Sequence, residues 1–402
     1  MFLRSLLQRN PRFVEAAVEL HQAGLIPPNS YVVDLDVLRS NTEGLCRTAR
    51  DLGLTVYAMT KQIGRAAAAL DAIDAGGADG FVAVDMACAR PIARAGHSVG
   101  HLGHLVQVAP SETAEAAALE PDCWTVFSRN KASQAAAAAH ALGRSQPLLV
   151  RVFDDGDEFY PGHEGGIPLS DLGSMIDHIA ALDGATFAGL TTFPALLYDA
   201  ESQAARLTPN MDTLARAAAV ARRHPACPEQ LHLNAPGTTS TQVLPMLAEA
   251  GATQVEPGHG LSGTTPLHAV GELPELPAVL YLSEIAHIHQ GRPLCFGGGL
   301  YIDPVFGDYE VRAVVADDPS EISTQPVPVE MPSPAAIDYY APLAPPPQRR
   351  LREGATVIFG FRVQAFVTRA FVAGVAGAAR GEPHVAGIWN GFGDAVQFGM
   401  HA

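Results

Sequence analysis

Short hydrophobic runs alternate with alanine-rich segments between Leu54 and about Gly260. The runs lie at 55–61, 79–84, 103–108, 123–128, 147–153, 187–193, 231–236 and 253–258. Most are rich in β-branched or aromatic residues, whereas the segments between them have the length of helices and several end at glycine, a common helix stop. This alternation predicts βαβ units around a parallel sheet. About eight such units fit a closed (β/α)₈ barrel of the TIM type.

An open, doubly wound sheet is the alternative to the barrel. When such a sheet binds a dinucleotide, a glycine-rich loop follows its first strand. Here the first strand is followed by Lys-Gln-Ile-Gly-Arg-Ala (61–66), which is no such loop, so the barrel is favoured.

The pattern changes on both sides of the barrel. A strand-like run opens residues 30–41, and a helix is expected to begin near Asn41. After about Thr265, prolines become frequent and β-like runs replace helical ones. We therefore expect an α/β chain with an N-terminal helical segment (1–29), a barrel domain (30–268) and a smaller, mostly β C-terminal domain (269–402).

The composition narrows the classes of function. The chain has 402 residues, 48% of them hydrophobic, and a formal net charge of −16. This charge argues against nucleic-acid binding, and no apolar run of about 18 residues predicts a membrane span. The five cysteines form no Cys-x-x-Cys pair, which is typical of a cytoplasmic protein without disulfides. Arg4, Gln8 and Arg9 interrupt the apolar start, which therefore predicts an amphipathic helix and not a signal peptide.

Lys61 is the first candidate for chemistry. It ends the first predicted barrel strand, at the edge where barrel enzymes place their active sites. Most other basic residues of this region are arginines. A desolvated amine at such a position is a nucleophile toward an aldehyde. The alternative is a solvated lysine at a strand end.

The segment from Tyr31 to Arg65 resembles the opening of the alanine-racemase-like enzymes, the fold type III family that uses pyridoxal 5′-phosphate (PLP). The resemblance rests on a Val-Asp strand, an asparagine in the helix after it, and a hydrophobic strand that ends in lysine. It implies that Lys61 is the Schiff-base lysine that carries PLP. The whole chain is most similar to the YhfX-type branch. The resemblance also implies a small amino-acid substrate and a homodimer with sites near the interface.

Two segments match the family's phosphate-binding loops. One follows the seventh strand and offers Asn234, Gly237, Thr238, Thr239 and Ser240; its alternative role is that of an ordinary helix N-cap. The other follows the eighth strand and offers Gly258, His259 and Gly260 as backbone donors. Arg65 stands where alanine racemases have a phosphate-binding tyrosine, and its alternative is an arginine on a helix surface.

Other positions depart from the family's pattern. Glu256 stands where alanine racemases place an arginine at the pyridine nitrogen, and a carboxylate there favours the protonated ring. The family's Thr-His-Phe run is Thr191-Thr192-Phe193 here. Arg151, on the fifth strand, is a candidate for binding the substrate carboxylate; a buried ion pair with Asp154 or Asp155 is its alternative.

Alanine racemases draw a second base, a tyrosine, from the C-terminal domain of the partner subunit, and the resemblance implies a corresponding group here. Two opposed bases let a proton leave one face of Cα and return to the other. Cys295 and Tyr301 are the candidates, with Tyr309 as a further one. Arg362, on the same strand face as Gln364, is a second candidate for the substrate carboxylate. His287 and His289 share a strand face, but their spacing alone assigns no metal.

These features predict a PLP-dependent amino-acid racemase or epimerase in which Lys61 acts on one face of Cα. The alternatives are a PLP-dependent D-amino-acid lyase, either an aldolase or a dehydratase, and a PLP-binding protein without catalysis. A barrel enzyme without PLP is a further alternative.

Overall fold

A computed structural model describes residues 2–301, 310–333 and 335–398. The chain divides into two compact units. We call Glu43–Thr60 with Gly77–Gly258 the barrel unit, and the described parts of Met1–Thr42, Lys61–Gly76 and His259–Ala402 the sheet unit.

The helices and strands are given in chain order. The α-helices are α1 Phe2–Arg9, α2 Pro11–Gln22, α3 Leu35–Asp51, α4 Ala67–Ala75, α5 Met86–Arg94, α6 Thr113–Ala118, α7 Arg129–Ala141, α8 Leu172–Ala180, α9 Pro209–Arg222, α10 Leu244–Glu249 and α11 Pro266–Val270. The strands are β1 Ser30–Asp34, β2 Thr55–Met59, β3 Gly80–Ala83, β4 Val99–Leu102, β5 Cys123–Val126, β6 Gln146–Phe153, β7 Ile167–Pro168, β8 Ala185–Thr191, β9 Leu196–Asp199, β10 Ala204–Leu207, β11 His232–Asn234, β12 Gln254–Val255, β13 Val279–His289, β14 Arg292–Phe296, β15 Val311–Ala316, β16 Val327–Val329, β17 Tyr340–Pro342, β18 Thr356–Phe359, β19 Phe371–Ala376 and β20 His384–Trp389.

The barrel unit is a closed barrel of eight parallel strands. The strands follow the order β2, β3, β4, β5, β6, β8, β11 and β12, and β12 pairs with β2 to close the ring. Helices follow most of the strands along the chain, and their buried faces are largely alanine and aliphatic residues. The predicted (β/α)₈ barrel is confirmed.

One barrel strand lies elsewhere than predicted. The fourth strand of the chain, β4, covers Val99–Leu102, whereas the sequence favoured residues 103–108. Residues 99–102 include a glycine and a histidine and have little strand character of their own. The ring of Tyr57 on β2 fills the space where a side chain at Gly100 would stand, so packing within the barrel overrides local propensity here.

The sheet unit is built on a sheet whose strands follow the order β16, β15, β18, β13, β1, β19 and β20, with β14 and β17 attached to β13. β1 is antiparallel to β13 and parallel to β19, so it joins this sheet and no barrel strand. The expected barrel domain began at residue 30, whereas the structure assigns β1 to the sheet unit. The C-terminal region is mostly antiparallel β-structure, as predicted.

The helix after β1 begins earlier than expected, at Leu35 and not near Asn41. Asp34 explains the start, because its Oδ1 accepts a hydrogen bond from the backbone N–H of Val37 at 3.1 Å, as an N-cap residue does. The amphipathic N-terminal helix is present as α1, which buries Phe2, Leu3 and Leu6. No helix in the described residues is long and apolar enough to cross a membrane.

Candidate active site

A fully buried carboxylate, that of Glu256, lies one residue beyond β12 in the barrel unit. Its Oε1 accepts hydrogen bonds from Nδ1 of His101 and from Nδ2 of Asn234, the latter at 2.9 Å. Its Oε2 lies 3.4 Å from Nδ1 of His104 and has no hydrogen-bond partner among the described residues. One oxygen is therefore held by two neighbours, and the other is left with an unused acceptor site.

The groups behind Glu256 are themselves fixed by hydrogen bonds. Thr191, the last residue of β8, donates through Oγ1 to Oδ1 of Asn234 at 2.7 Å. Nε2 of His101 lies 2.6 Å from Oγ1 of Thr125 on β5. The network thus joins four barrel strands and orients the carboxylate from several directions. Asn234, expected at the phosphate, has its side chain engaged with Thr191 and Glu256 instead.

His101 and His104 were missed by the sequence analysis. His101 lies on β4 and His104 two residues beyond it, and both are buried. The misplaced strand hid them, because residues 103–108 put His101 outside any element. The signal that could have found them is a pair of histidines three residues apart at the carboxyl end of a barrel strand.

The charges of this network favour an ionised carboxylate. Burial by itself raises the pKa of Glu256, but the charges of His104 and His101 and the hydrogen bonds from His101 and Asn234 lower this pKa to about 2. Two opposing effects therefore meet at one carboxyl group, and the neighbouring donors outweigh desolvation.

The segment after β11 also holds an unsatisfied polar group. Ser240 is fully buried, and its Oγ has no hydrogen-bond partner among the described residues. A side chain at Gly237 would lie 2.7 Å from the backbone nitrogen of Leu196, so only glycine fits the close approach there. Thr238 and Thr239 lie between them, and Thr239 is buried.

Arg151 is among the largest fully buried side chains, at 1% exposure, and lies near the carboxyl end of β6. Its Nη2 donates to the carbonyl oxygens of His163 at 2.7 Å and Phe193 at 3.2 Å. Its guanidinium lies over the rings of Phe127 and Phe159, 4.9 and 5.6 Å from their centroids.

Two donors of this buried cation, Nε and Nη1, have no hydrogen-bond partner among the described residues. Burial lowers the pKa of Arg151 to about 10, with an opposing contribution from Glu164, so the group still carries its charge near neutral pH. The alternative of an ion pair with Asp154 is not observed, because Asp154 pairs with Arg216 at 2.5 Å.

In the sheet unit, Lys61 opens a short 3₁₀-helix that comes directly after Thr60. His259 contacts the residue after Lys61. Nδ1 of His259 lies 3.3 Å from Nε2 of Gln62, and Nε2 of His259 lies 2.8 Å from the carbonyl oxygen of Val363. Since a carbonyl only accepts, Nε2 carries the ring proton and Nδ1 accepts from Gln62. Burial, followed by the charges of Arg362 and Lys61, holds the pKa of His259 well below its usual value, so the ring is neutral beside the lysine.

Arg65 is buried, and its backbone has a φ of 59°, in the left-handed region. Its guanidinium donates to the carbonyl oxygen of Gly391 and lies 5.8 Å from the ring centroid of Phe366. It is therefore no helix-surface arginine, and in the structure it is held by the C-terminal segment of the sheet unit.

The remaining candidates from the C-terminal region are Cys295, Tyr301, Tyr309 and Arg362. Cys295 is fully buried on β14, where burial raises the pKa of its thiol to about 12, which disfavours it as a base. Tyr301 is half-buried, and Tyr309 lies outside the described residues. Arg362 follows β18 in an irregular segment, so the expected shared strand face with Gln364 is wrong.

His287 and His289 end β13, and the ring of His287 packs against Tyr340 at 4.8 Å. Among the described residues, neither belongs to a group of three metal-capable side chains. Across the described part of the chain, one such group has its ligand atoms within 4.8 Å of one another, and it consists of His101, His104 and Glu256.

Two family models match most of the chain. The model of the alanine racemase N-terminal domain matches residues 33–266, and that of the YhfX-like C-terminal domain matches residues 280–385. The uncharacterised protein YhfX of Escherichia coli (strain K12) is 39% identical over 396 residues, 98% of this chain and 100% of YhfX.

Two solved structures share the fold. D-threonine aldolase from Filomicrobium marinum aligns with a TM-score of 0.67 at 18% identity, over 92% of this chain and 95% of the aldolase. Alanine racemase from Corynebacterium glutamicum aligns with a TM-score of 0.60 at 16% identity, over 84% of this chain and 92% of the racemase. The chain belongs to the alanine-racemase-like family of PLP enzymes, in its YhfX-type branch.

Proposed function

We propose that this protein is a PLP-dependent amino-acid racemase or epimerase that carries its cofactor on Lys61. The observation that supports this best is the buried Glu256 carboxylate at the carboxyl end of a barrel strand, with one oxygen unused. Such a group suits a ring nitrogen that must keep its proton. Lys61 is assigned from the family's pattern, as the lysine that follows the first barrel strand.

The residues present fit the cofactor. Oε2 of Glu256 can accept a hydrogen bond, which the N–H group of the protonated pyridine ring would donate. Oγ of Ser240 is a buried hydroxyl that needs a partner, and a phosphate oxygen would provide one. Both atoms are costly to bury unsatisfied, so a ligand that bonds to them would remove that cost.

Each candidate residue then has a role. When bound, the cofactor supplies an electron-withdrawing ring that makes the substrate's Cα proton acidic. Glu256 holds the proton on the ring nitrogen, and Asn234 orients Glu256. The phosphate would be held by Gly237, Thr238, Thr239 and Ser240, by the backbone of Gly258, His259 and Gly260, and by Arg65.

The substrate's carboxylate and its proton require further groups. Arg151 is the stronger candidate for the carboxylate, because two of its donors are buried without partners; Arg362 is the second. Nζ of Lys61 moves the proton at one face of Cα, and Tyr301 is the candidate for the other face. Cys295 is disfavoured by its burial and raised pKa. We further propose a cytoplasmic homodimer, which sedimentation of the purified protein would test.

A lyase acting on D-amino acids is the second candidate. The structural likeness to D-threonine aldolase from Filomicrobium marinum, which covers 92% of this chain, favours it. A PLP-binding protein without catalysis is the third alternative.

The attachment to Lys61 can be tested without knowing the substrate. Reduction of the purified protein with borohydride fixes PLP to the lysine that holds it, and peptide mass spectrometry locates the modified residue. Lys61→Ala should lose the visible absorbance band and the modified peptide. Lys131→Ala is the matched control, because Lys131 lies in the first turn of α7 and its Nζ donates to the carbonyl oxygen of Val108 at 2.7 Å. Modification of Lys131 alone, or an unchanged band in Lys61→Ala, would refute the assignment.

The reaction class needs a separate measurement. Candidate D- and L-amino acids are incubated with the protein in deuterium oxide. A racemase incorporates deuterium at Cα of both enantiomers, whereas a lyase releases an aldehyde or a keto acid. Retained PLP without turnover of any amino acid would favour the non-catalytic alternative.

A further inference from the structure

Glu256 is surrounded, within the barrel unit, by two histidines that the function above does not yet use. His101 and His104 are buried, and both turn Nδ1 toward the carboxylate. Their rings lie edge to face, 5.5 Å apart. Histidines this deeply buried usually have a partner that explains them, and here the shared partner is Glu256.

The orientation of His101 follows from its two contacts. Because the Glu256 carboxylate only accepts hydrogen bonds, the Nδ1 of His101 that faces it must carry a proton. On the other side of the ring, Nε2 faces the hydroxyl of Thr125, which donates to a neutral imidazole and accepts from a protonated one. His101 can therefore serve Glu256 in either charge state without moving.

The histidines also oppose the main cost of burying Glu256. A carboxylate in a dry interior takes up a proton unless charges or donors hold it ionised. Of the neighbours of Glu256 in the barrel unit, Asn234 and His101 donate hydrogen bonds to Oε1, and Nδ1 of His104 lies 3.4 Å from Oε2. Unlike the amide of Asn234, the two imidazoles can also carry a positive charge. Burial, followed by the charge of Glu256, raises the pKa of the Cys123 thiol, which therefore stays protonated.

We propose that His101 and His104 are positioning residues that hold Glu256 as a carboxylate, so that the ring nitrogen of bound PLP stays protonated. Replacing an arginine by a glutamate at this position brings a buried negative charge, and the two histidines compensate for it. This inference rests on the proposed function, because it concerns the ring that Glu256 faces. It assigns no direct contact between either histidine and the substrate.

The direct readout is the protonation state of the ring nitrogen. The protein is loaded with PLP labelled with ¹⁵N in the ring, and the NMR shift of this nitrogen is measured at neutral pH. In the unaltered protein the nitrogen should stay protonated. In the double variant His101→Phe/His104→Phe, the signal should move to the unprotonated position at neutral pH.

Single variants separate charge from hydrogen bonding. His101→Gln keeps a donor toward Glu256 and an acceptor toward Thr125 but cannot become positive, so it should lower the apparent pKa of the ring nitrogen by about one unit, a tenfold change. His101→Phe should lower it further. These single variants decide the matter if the double variant does not fold. His232→Phe is the control, since His232 is half-buried on β11, the strand that also carries Asn234.

A measurement without PLP separates this inference from the function on which it rests. In the cofactor-free protein, the infrared difference between the unaltered chain and Glu256→Gln should show an ionised carboxylate. The same difference in the His101→Phe/His104→Phe background should show a protonated carboxyl. If the protein binds no PLP but this shift appears, the proposed function fails while the role of the histidines toward Glu256 stands.

Two results would overturn the proposal. One is a ring nitrogen, and a Glu256 carboxylate, that keep their protonation states when both histidines are replaced. The other is a stoichiometric divalent metal in the purified protein that is lost together in Glu256→Gln and His101→Gln, because the three side chains would then be ligands of that metal.

Discussion

Two buried histidine–glutamate pairs, one in each unit, look alike in charge and burial but differ in what surrounds them. In the sheet unit, Nε2 of His268 lies 3.3 Å from Oε2 of Glu275, and both side chains are at most 1% exposed. In the barrel unit, His101 and His104 face the equally buried Glu256. The comparison teaches that burial and charge do not by themselves mark an active site.

The difference lies in the other contacts of each pair. Nδ1 of His268 accepts a hydrogen bond from the backbone N–H of Thr265 at 3.2 Å and lies 2.7 Å from Oγ1 of the same residue. His268 thereby helps to fix the start of α11, and its Nε2, which then carries the ring proton, lies 3.3 Å from Oε2 of Glu275. Glu256 follows a barrel strand, at the edge where barrel enzymes bind ligands. We therefore expect the first pair to stabilise the fold and the second to serve the cofactor.

The largest expected effect is on stability, in the His268–Glu275 pair. Glu275→Ala removes the carboxylate beside Nε2 of His268 and leaves a cavity in a buried region, and the lost contact and the cavity together cost about 3–5 kcal/mol of unfolding free energy. Denaturant unfolding measures the loss. Glu272→Ala, an exposed site in the same loop, should change stability little. If Glu275→Ala instead lost PLP binding at unchanged stability, the assignment of the His268–Glu275 pair to the stability of the fold would be wrong.

A third pair, His21 with Glu284 in the sheet unit, sharpens the comparison through pH. Nδ1 of His21 lies 2.8 Å from Oγ1 of Thr356, and Nε2 lies 3.3 Å from Oε2 of Glu284. Burial lowers the pKa of His21 to about 4. Burial also raises the pKa of Glu284, so acidification neutralises the one partner that could compensate a charged His21.

The sign of the pH dependence follows from this lowered pKa. Between about pH 6.5 and pH 4 the unfolded chain binds a proton at His21 and the folded chain does not, so stability falls as the pH falls through this window. The full loss is at most about 3 kcal/mol, because one pKa unit corresponds to about 1.4 kcal/mol. Unfolding curves at several pH values in His21→Gln should lack this slope, whereas the exposed His384→Gln should keep it. A slope that His21→Gln retains would assign the pH dependence to other groups.

The Glu256 network should respond more in activity than in stability. Glu256→Gln removes the negative charge while keeping the side-chain shape, and we expect at least about a 100-fold loss in the rate of Cα deuterium exchange, the size found when one preorganised charge or hydrogen bond is removed from an active site. The free energy of unfolding should fall modestly, because the contacts that lower the pKa of Glu256 also favour its ionised form in the folded chain. Glu249→Gln, exposed at the end of α10, is the control. A large loss of stability in Glu256→Gln would make this pair as structural as His268–Glu275.

The sequence predicts the barrel well because each βαβ unit leaves a local trace. Alternating strand-like and helix-like segments need no knowledge of distant contacts, and seven of the predicted strands overlap observed ones. The β4 error shows the limit: Val99–Leu102 becomes a strand through packing against β2, and nothing within four residues reveals that. The same holds for β1, whose partners β13 and β19 lie more than two hundred residues away in sequence.

The site divides in the same way. Lys61 and Glu256 are proposed from the family's pattern, and they lie two residues after β2 and one residue after β12. His101 and His104 could not be proposed in this way, because barrel closure and not sequence proximity brings β4 and the end of β12 to one carboxylate. The sequence indicates Asn234 as a site candidate but does not predict that its side chain donates to Glu256. That contact depends on the three-dimensional arrangement of the strands.

The smallest expected effect concerns Arg151, whose buried donors resemble Oε2 of Glu256 in lacking partners. Arg151→Lys keeps a positive charge but loses the flat guanidinium that lies over Phe127 and Phe159. If Arg151 binds the substrate carboxylate, KM should rise about tenfold with a smaller change in kcat, because ground-state and transition-state binding are lost together. Arg216→Lys, in an exposed ion pair with Asp154, is the control.

A structural role for Arg151 would give a different result. The bonds from Nη2 to two backbone carbonyls hold the segments around His163 and Phe193, so their loss alone would lower the unfolding free energy and leave KM unchanged in the folded fraction. The two outcomes can be distinguished because Nε and Nη1 of Arg151 form no hydrogen bond with the described residues. Losing these two donors should therefore not lower the unfolding free energy. A buried donor without a partner in the fold can gain a hydrogen bond from a ligand, which lowers the free energy of the complex. A rise in KM in Arg151→Lys would identify that ligand as the substrate.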